Sequence, residues 1–301
     1  MKRLCLFIVL VVSFWFSAFS QSFTQEFFEY FRKGDTLGMQ RILRQWRRSD
    51  SAETPNYYVA CANYYMFVAA RTVLYLDSKI SQDTSSLLIE DTTGKPVGSL
   101  SYKTFYNPDS IEKALECLTE AISKYPNRLD LRFGKIYLFE RTENWKSMYN
   151  EIMKTLDYSV ENKNKWLWSG DKMIKHGKDV FLSGLQSYMF DMYNTENDSL
   201  LIYIKNISEK ILKYYPLDLP ALNNLGMYYF YKKQYEKAEK YFLKVLKLNK
   251  KDTLVLMNLA YLYEIEGKKE KAIKYYKKVL KYGKGQVIIQ VKQILKKLQS
   301  D

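Results

Sequence analysis

The chain has 301 residues, with 47 basic against 33 acidic side chains, a formal net charge of +14 and a single histidine. One histidine and the two cysteines beyond the first twenty residues, Cys61 and Cys117, cannot make the common zinc sites, and any serine–histidine or cysteine–histidine catalysis would have to use His176. With 47% apolar residues the chain can bury a large core, and six prolines in the whole length leave long uninterrupted segments.

The N-terminus reads as a leader. Lys2 and Arg3 precede an apolar run from Leu4 to Phe19, and Ala18 to Ser20 offers small residues where a signal peptidase reads. The pattern is a secretory signal at 1–20 cut between Ser20 and Gln21, with an uncleaved anchor as the alternative. The run is shorter than the roughly twenty residues a membrane span needs. Cys5 lies ahead of the run and not at the cleavage point, which argues against lipidation. No later segment is apolar enough to span a bilayer, so the mature chain is expected in a bacterial periplasm or beyond. Two cysteines, Cys61 and Cys117, follow the leader in apolar, helix-like stretches. A cysteine there usually serves as a small buried hydrophobe, and export leaves a Cys61–Cys117 bridge as the alternative.

Residues 21–76 read as helical. One helix places Phe23, Phe27, Tyr30 and Phe31 on one face, and a second runs from Thr36 to Arg48 with Leu37, Ile42 and Leu43 inward. A third opens at Pro55, a residue suited to a first helical turn, and continues to Leu76. Residues 77–108 form an insertion: two extended runs at about 86–104 flank a turn at Asp91 to Gly94, the signature of a β-hairpin, and Pro96 and Gly98 argue against helix. Helices resume after a cap at Asp109–Ser110. The irregular helical stretch 109–216 carries further helices near 129–141, 144–157, 164–176, 179–193 and 198–214.

After the Tyr214–Pro220 junction a period appears. Leu222, Leu225, Gly226 and Tyr229 recur as Leu256, Leu259, Ala260 and Tyr263; Ala238, Phe242 and Val245 recur as Ala272, Tyr276 and Val279. Every offset is thirty-four residues. Each copy is two helices, separated by a turn at Lys232–Gln234 or around Gly267. Small residues stand where paired helices would collide and bulky ones fill the space between, so copies must stack to bury their apolar faces.

This pattern resembles the tetratricopeptide repeat, a helix–turn–helix unit of this length, over 217–250 and 251–284. It departs in one respect: Lys250 and Lys284 stand where a proline often ends a unit. The helix with Ala114, Leu118, Ala121 and Pro126 fits less regularly, and the N-terminal helices resemble worn copies. The resemblance implies an all-α helix–turn–helix solenoid with a small inserted β-hairpin, capped by a helix at 285–301.

The same resemblance implies a non-enzymatic scaffold that holds a protein or peptide partner on the concave side lined by first helices. Asn224 and Asn258, one period apart, stand where peptide-binding members carry amides that hold a ligand backbone; an amide both donates and accepts. Asn223, Met227, Phe230 and Tyr261 are their neighbours on the same helices. No cofactor, phosphate-cradling glycine loop or metal set is read from the sequence. His176–Gly177 reads as a helix end, Glu264 and Glu266 as solvated.

The charge is uneven. From Ile202 onward there are 22 lysines against 9 acids, so nearly all the excess lies in the last third. Lys237, Lys240, Lys244, Lys247 and Lys250 recur as Lys271, Lys274, Lys278, Lys281 and Lys284, at spacings of three and four that share one helix face. This face is either solvated or an electrostatic docking surface for anionic lipid, glycan or an acidic protein. Nucleic acid is not expected for an exported chain without a nucleic-acid motif. Trp145, Trp166 and Trp168 raise a carbohydrate-stacking idea; on a helix, Trp166 and Trp168 could not share a face.

Overall fold

A computed structural model describes residues 18–77 and 86–300. Residues 1–17 of the expected leader lie outside the described residues; Ala18–Ser20 and the expected cut point before Gln21 fall in the first turn of a helix. The architecture is all-α, built of helix–turn–helix pairs of tetratricopeptide type with a small inserted sheet. The chain divides into two compact units. One takes the described residues up to Glu151 with Asn162–Phe181, the other Ile152–Glu161 with the chain from Leu182 on.

The first unit begins with helices α1 (Ala18–Lys33), α2 (Thr36–Arg47) and α3 (Pro55–Ala69). Phe27, Met39, Ile42 and Trp46 are buried between them, and the Phe23 and Trp46 rings stack at 5.7 Å. Leu37, expected inward, is 77% exposed: it follows the Asp35 cap in the first turn, one position before the buried stripe that starts at Gly38. The third helix stops at Ala69 instead of reaching Leu76, and the chain continues as strand β1 (Ala70–Asp77). With β2 (Leu87–Glu90) and β3 (Pro96–Tyr106) it makes a three-stranded antiparallel sheet in the order β1-β3-β2. The expected hairpin is its β2–β3 half. The turn is tied by Asp91, whose side chain accepts from the Thr93 and Lys95 amides.

Helix α4 (Pro108–Lys124) is capped by the Asn107 side chain and not by Asp109, with Pro108 in the first turn. Ala114, Leu118 and Ala121 pack on Tyr58, Val59 and Ala62 of α3. Cys61 and Cys117 are joined in a disulfide across these two helices, Cα–Cα 6.3 Å, a separation that suits the bond. The alternative noted from the sequence is therefore the one realised.

Helices α5 (Leu129–Arg141) and α6 (Trp145–Glu161) follow. The helix expected at 164–176 is absent. The segment folds as short strands β4 (Leu167–Trp168) and β5 (Lys172–Met173) around a 3-10 turn that turns at Gly170, φ 71°. Trp166 is fully buried against Phe181, whereas Trp168 is half-exposed beside Phe133. His176 does not end a helix. It precedes α7 (Gly177–Asn194), takes φ 55° itself, and its carbonyl accepts the Asp179 and Val180 amides. Gly177 is needed for closeness: a Cβ there would stand 2.4 Å from the Asn164 carbonyl oxygen.

The second unit stacks α8 (Leu201–Tyr214), α9 (Leu219–Tyr231), α10 (Tyr235–Leu248), α11 (Thr253–Ile265), α12 (Lys269–Tyr282) and α13 (Gln286–Ser300). Ala238, Phe242, Val245, Leu259, Ala260, Ala272, Tyr276 and Val279 form its core at about zero exposure. Gly226 lies on the Phe242 ring, where a Cβ would come within 2.4 Å. Asp218 and Asp252, thirty-four residues apart, cap α9 and α11 by accepting the Ala221 and Val255 amides. The turns inside the pairs recur as well: Lys233 and Gly267 both have positive φ, and in each the next amide also bonds back into the first helix.

Candidate functional site

The first helices of successive pairs, α7, α9 and α11, each carry an amide followed by rings or aliphatics at helical spacing. The sets are Gln186–Phe190–Tyr193, Asn223–Met227–Phe230 and Asn258–Tyr261–Ile265. Residues three, four and seven apart share a face, so each set forms a strip. The amides connect the helices. Asn258 Nδ2 donates to Asn223 Oδ1 at 2.9 Å, and Asn224 Nδ2 donates to Gln186 Oε1 at 2.9 Å.

The two periodic asparagines therefore hold different places. Asn224 is 2% exposed, with its amide committed to Gln186 and its backbone carbonyl accepting the Tyr193 hydroxyl. Asn258 is half-buried, and its amide nitrogen is given to the half-buried Asn223. Burying a side-chain amide is costly unless it is paired, and Gln186 supplies the pair. Met227 and Phe230 are half-buried on the core; the Phe230 ring lies 5.6 Å from that of Tyr261. Tyr261 and Ile265 are each 48% exposed, Tyr231 51% and Phe190 59%. Gln186, Phe190, Tyr193, Tyr231 and Ile265 were not singled out from the sequence. For Gln186, Phe190 and Tyr193 the signal was the amide-to-ring spacing of four and seven, obscured because α7 falls outside the thirty-four-residue period; Tyr231 and Ile265 stand one period apart.

Eight of the ten lysines lie on the faces of α10 and α12 away from the core, Lys250 and Lys284 lie just past the helix ends, and all ten but the half-buried Lys278 are exposed. Their recurrence has a local partner. Lys237 lies over Tyr229 at 5.2 Å and Lys271 over Tyr263 at 5.0 Å; Lys244 lies over Tyr241 and Lys278 over Tyr275, at 5.0 and 4.5 Å. Each pair is one period from its counterpart, so lysine and tyrosine repeat as cation–π couples. A surface depression on this face also contains Glu236 and Glu239 beside Lys240, Lys244 and Lys247, which dilutes its positive charge.

Glu264 and Glu266 are not simply solvated. Glu264 accepts the Tyr276 hydroxyl at 2.6 Å, and Glu266 pairs with Lys268 at 2.9 Å. Burial, reinforced by Glu264, pushes the Tyr276 hydroxyl well above the ordinary tyrosine range, so it remains a donor.

The first unit contains a buried ionic cluster with no counterpart in the repeats. Arg128, 1% exposed, donates through Nε and Nη2 to both oxygens of Asp130, at 2.8 and 2.7 Å, and through Nη1 to Asp171 at 3.1 Å. Asp130 and Asp171 hold the guanidinium charged against burial, which alone would lower its proton affinity. The cluster ties α5 to the β4–β5 turn.

Residues 218–283 match the family model described as Tetratricopeptide repeat, so the chain carries tetratricopeptide repeats. No curated protein matches the sequence. Among solved structures, the chain is similar to PilW, a type IV pilus biogenesis factor, at 14% identity and a TM-score of 0.42, covering 92% of this chain and 99% of that one. It is also similar to PilF of Pseudomonas aeruginosa at 19% identity and 0.40, covering 62% and 78%. A third is YrrB, a tetratricopeptide protein with a peptide-binding site, at 16% and 0.37, covering 62% and 84%. Identities this low bear on the fold alone. Among the described residues no helix is long and apolar enough to cross a membrane.

Proposed function

We propose that the protein is an exported, non-enzymatic scaffold that binds a peptide segment or protein partner along the first helices of its repeats. The observation that carries this reading is the half-buried Asn223–Asn258 amide pair with Tyr261 and Ile265, each 48% exposed, on the same helix face as Asn258. Aromatic and aliphatic groups left half-exposed beside amides suit an extended peptide, whose side chains need apolar contact and whose backbone needs donors and acceptors. Asn223, Met227, Phe230, Asn258 and Tyr261 form the proposed surface, with Asn224 acting from beneath through Gln186. The N-terminal leader and the Cys61–Cys117 bond support export, since such bonds persist in oxidising compartments.

The test is selection of binding peptides from a displayed random library, followed by titration. An Asn223→Ala, Tyr261→Ala variant is expected to lose about tenfold or more in affinity, as truncation of an interface aromatic often costs above roughly 1 kcal/mol. No enrichment, or unchanged affinity in a folded variant, would sink the reading. A salt titration separates it from docking through the lysine face. Binding through the strip should change little between low and high ionic strength, whereas exposed lysines are screened within about 10 Å at 0.1 M.

A further inference from the structure

Strand β1 is an edge. Among the described residues it is hydrogen-bonded to β3 on one side only, over eight residues from Ala70 to Asp77. An edge of this length carries a row of unpaired backbone donors and acceptors, and proteins usually blunt such edges with proline, bulges or central charge. This one has none of those devices: its centre is Val73–Leu74–Tyr75–Leu76, with Leu74 58% and Leu76 63% exposed. Its only charges are at the ends, Arg71 and Asp77, of opposite sign.

That placement is self-complementary. In an antiparallel pair related by a two-fold axis normal to the sheet, residues directly opposite must share a face, so their numbers sum to an even value. Centring the axis on Leu74 sets Leu74 against Leu74, Val73 against Tyr75, and Arg71 against Asp77, twice. Moving the register by one step in either direction takes Arg71 and Asp77 out of opposition. Arg71 and Asp77 lie on the same face as Val73 and Tyr75, as alternation along the strand requires. Lys103, opposite Val73 on that face, lies over the Tyr75 ring at 4.9 Å.

We infer that β1 pairs with β1 of a second copy of this chain, in the register centred on Leu74, to make a continuous six-stranded sheet. The occupant is a second copy because the strand's charge pattern matches its own reversal. A β-branched residue opposite an aromatic and opposite charges at both ends are favourable cross-strand pairs, and the contact closes with two-fold symmetry.

The test is sedimentation equilibrium on the purified full chain over a wide concentration range, with Arg71→Asp and the exchanged pair Arg71→Asp, Asp77→Arg. The chain is expected to dimerise reversibly. Arg71→Asp should weaken the dimer about tenfold, because each reversal turns attraction into repulsion at two symmetric places. The exchange should restore it, with circular dichroism showing both variants folded. A chain that stays monomeric throughout, an Arg71→Asp dimer as tight as the parent, or an exchange no better than the single change would each overturn the inference. So would an edge saturated by an extended segment of another protein.

Discussion

The repeats from Asp218 onward and the first compact unit hold together by different means. In the repeats the core is one motif used twice: Gly226 and Ala260 beneath Phe242 and Tyr276, with Ala238 and Ala272 at the crossings. No buried ion pair or disulfide is needed among these described residues, because each copy covers the next. In the earlier region the neighbours differ from pair to pair. There the contacts are individual: a Cys61–Cys117 bond, an Arg128–Asp130–Asp171 cluster, and aromatic stacks such as Phe23 on Trp46. Periodicity replaces specific ties; where it decays, specific ties appear.

One feature is common to both. Gly34, Glu143, Glu196, Lys233 and Gly267 each have positive φ at the turn between paired helices. At Gly34, Glu143, Lys233 and Gly267 the same two amide bonds return to the preceding helix. This backbone turn, the Schellman type of helix end, persists where side-chain periodicity is gone. It marks α1–α2 and α5–α6 as hairpins of the same kind as α9–α10 and α11–α12.

The contrast can be broken by mutation. Arg128→Ala is expected to have the largest effect, about 3–5 kcal/mol, since it strands a buried Asp130; a chemical melt should show it in the first unit alone. Equal loss of protection in the amides of α11 would contradict independent ties. Replacing both Cys61 and Cys117 by alanine should cost about 3 kcal/mol, for a bond spanning 56 residues, and reduction should have no further effect on that variant. Gly226→Ala places a methyl group on the Phe242 ring and should cost about 2 kcal/mol, read as faster hydrogen exchange in α9 and α10. Lys233→Gly sharpens the comparison from the other side. Glycine already serves the equivalent turn at Gly267, so relief of the left-handed conformation should raise stability by about 1 kcal/mol. A loss there would mean that the Lys233 side chain does more than its backbone angle suggests.

The legible part of the fold was the part that repeats. Leu225, Ala238 and Phe242 could be recognised as packing positions because Leu259, Ala272 and Tyr276 stood at the same offset. Strand β1 was not legible: Tyr64 to Leu76 is an almost continuous apolar run, and such a run suits a buried helix as well as a strand. What made it a strand was β3, whose Ser99 to Tyr106 pairs with Asp77 to Ala70 from a distant part of the chain. The 164–176 segment failed similarly, since its extended form depends on Arg128 reaching Asp171 and on Trp166 being buried by Phe181. At the proposed site, Asn224 and Asn258 were visible as a repeated letter; their different burial was not, because Gln186 lies outside the period.

By itself, the sequence determined the repeat unit, its two helices, their small and bulky contact positions and the face its lysines occupy. Each follows from spacing within one helix or one copy. Only the tertiary structure decided the disulfide, the third strand, the Arg128 cluster, the lysine–tyrosine couples and which amides remain at the surface. Those depend on side chains meeting across distant segments, and a single-chain pattern of polar and apolar letters carries no record of which distant partner arrives.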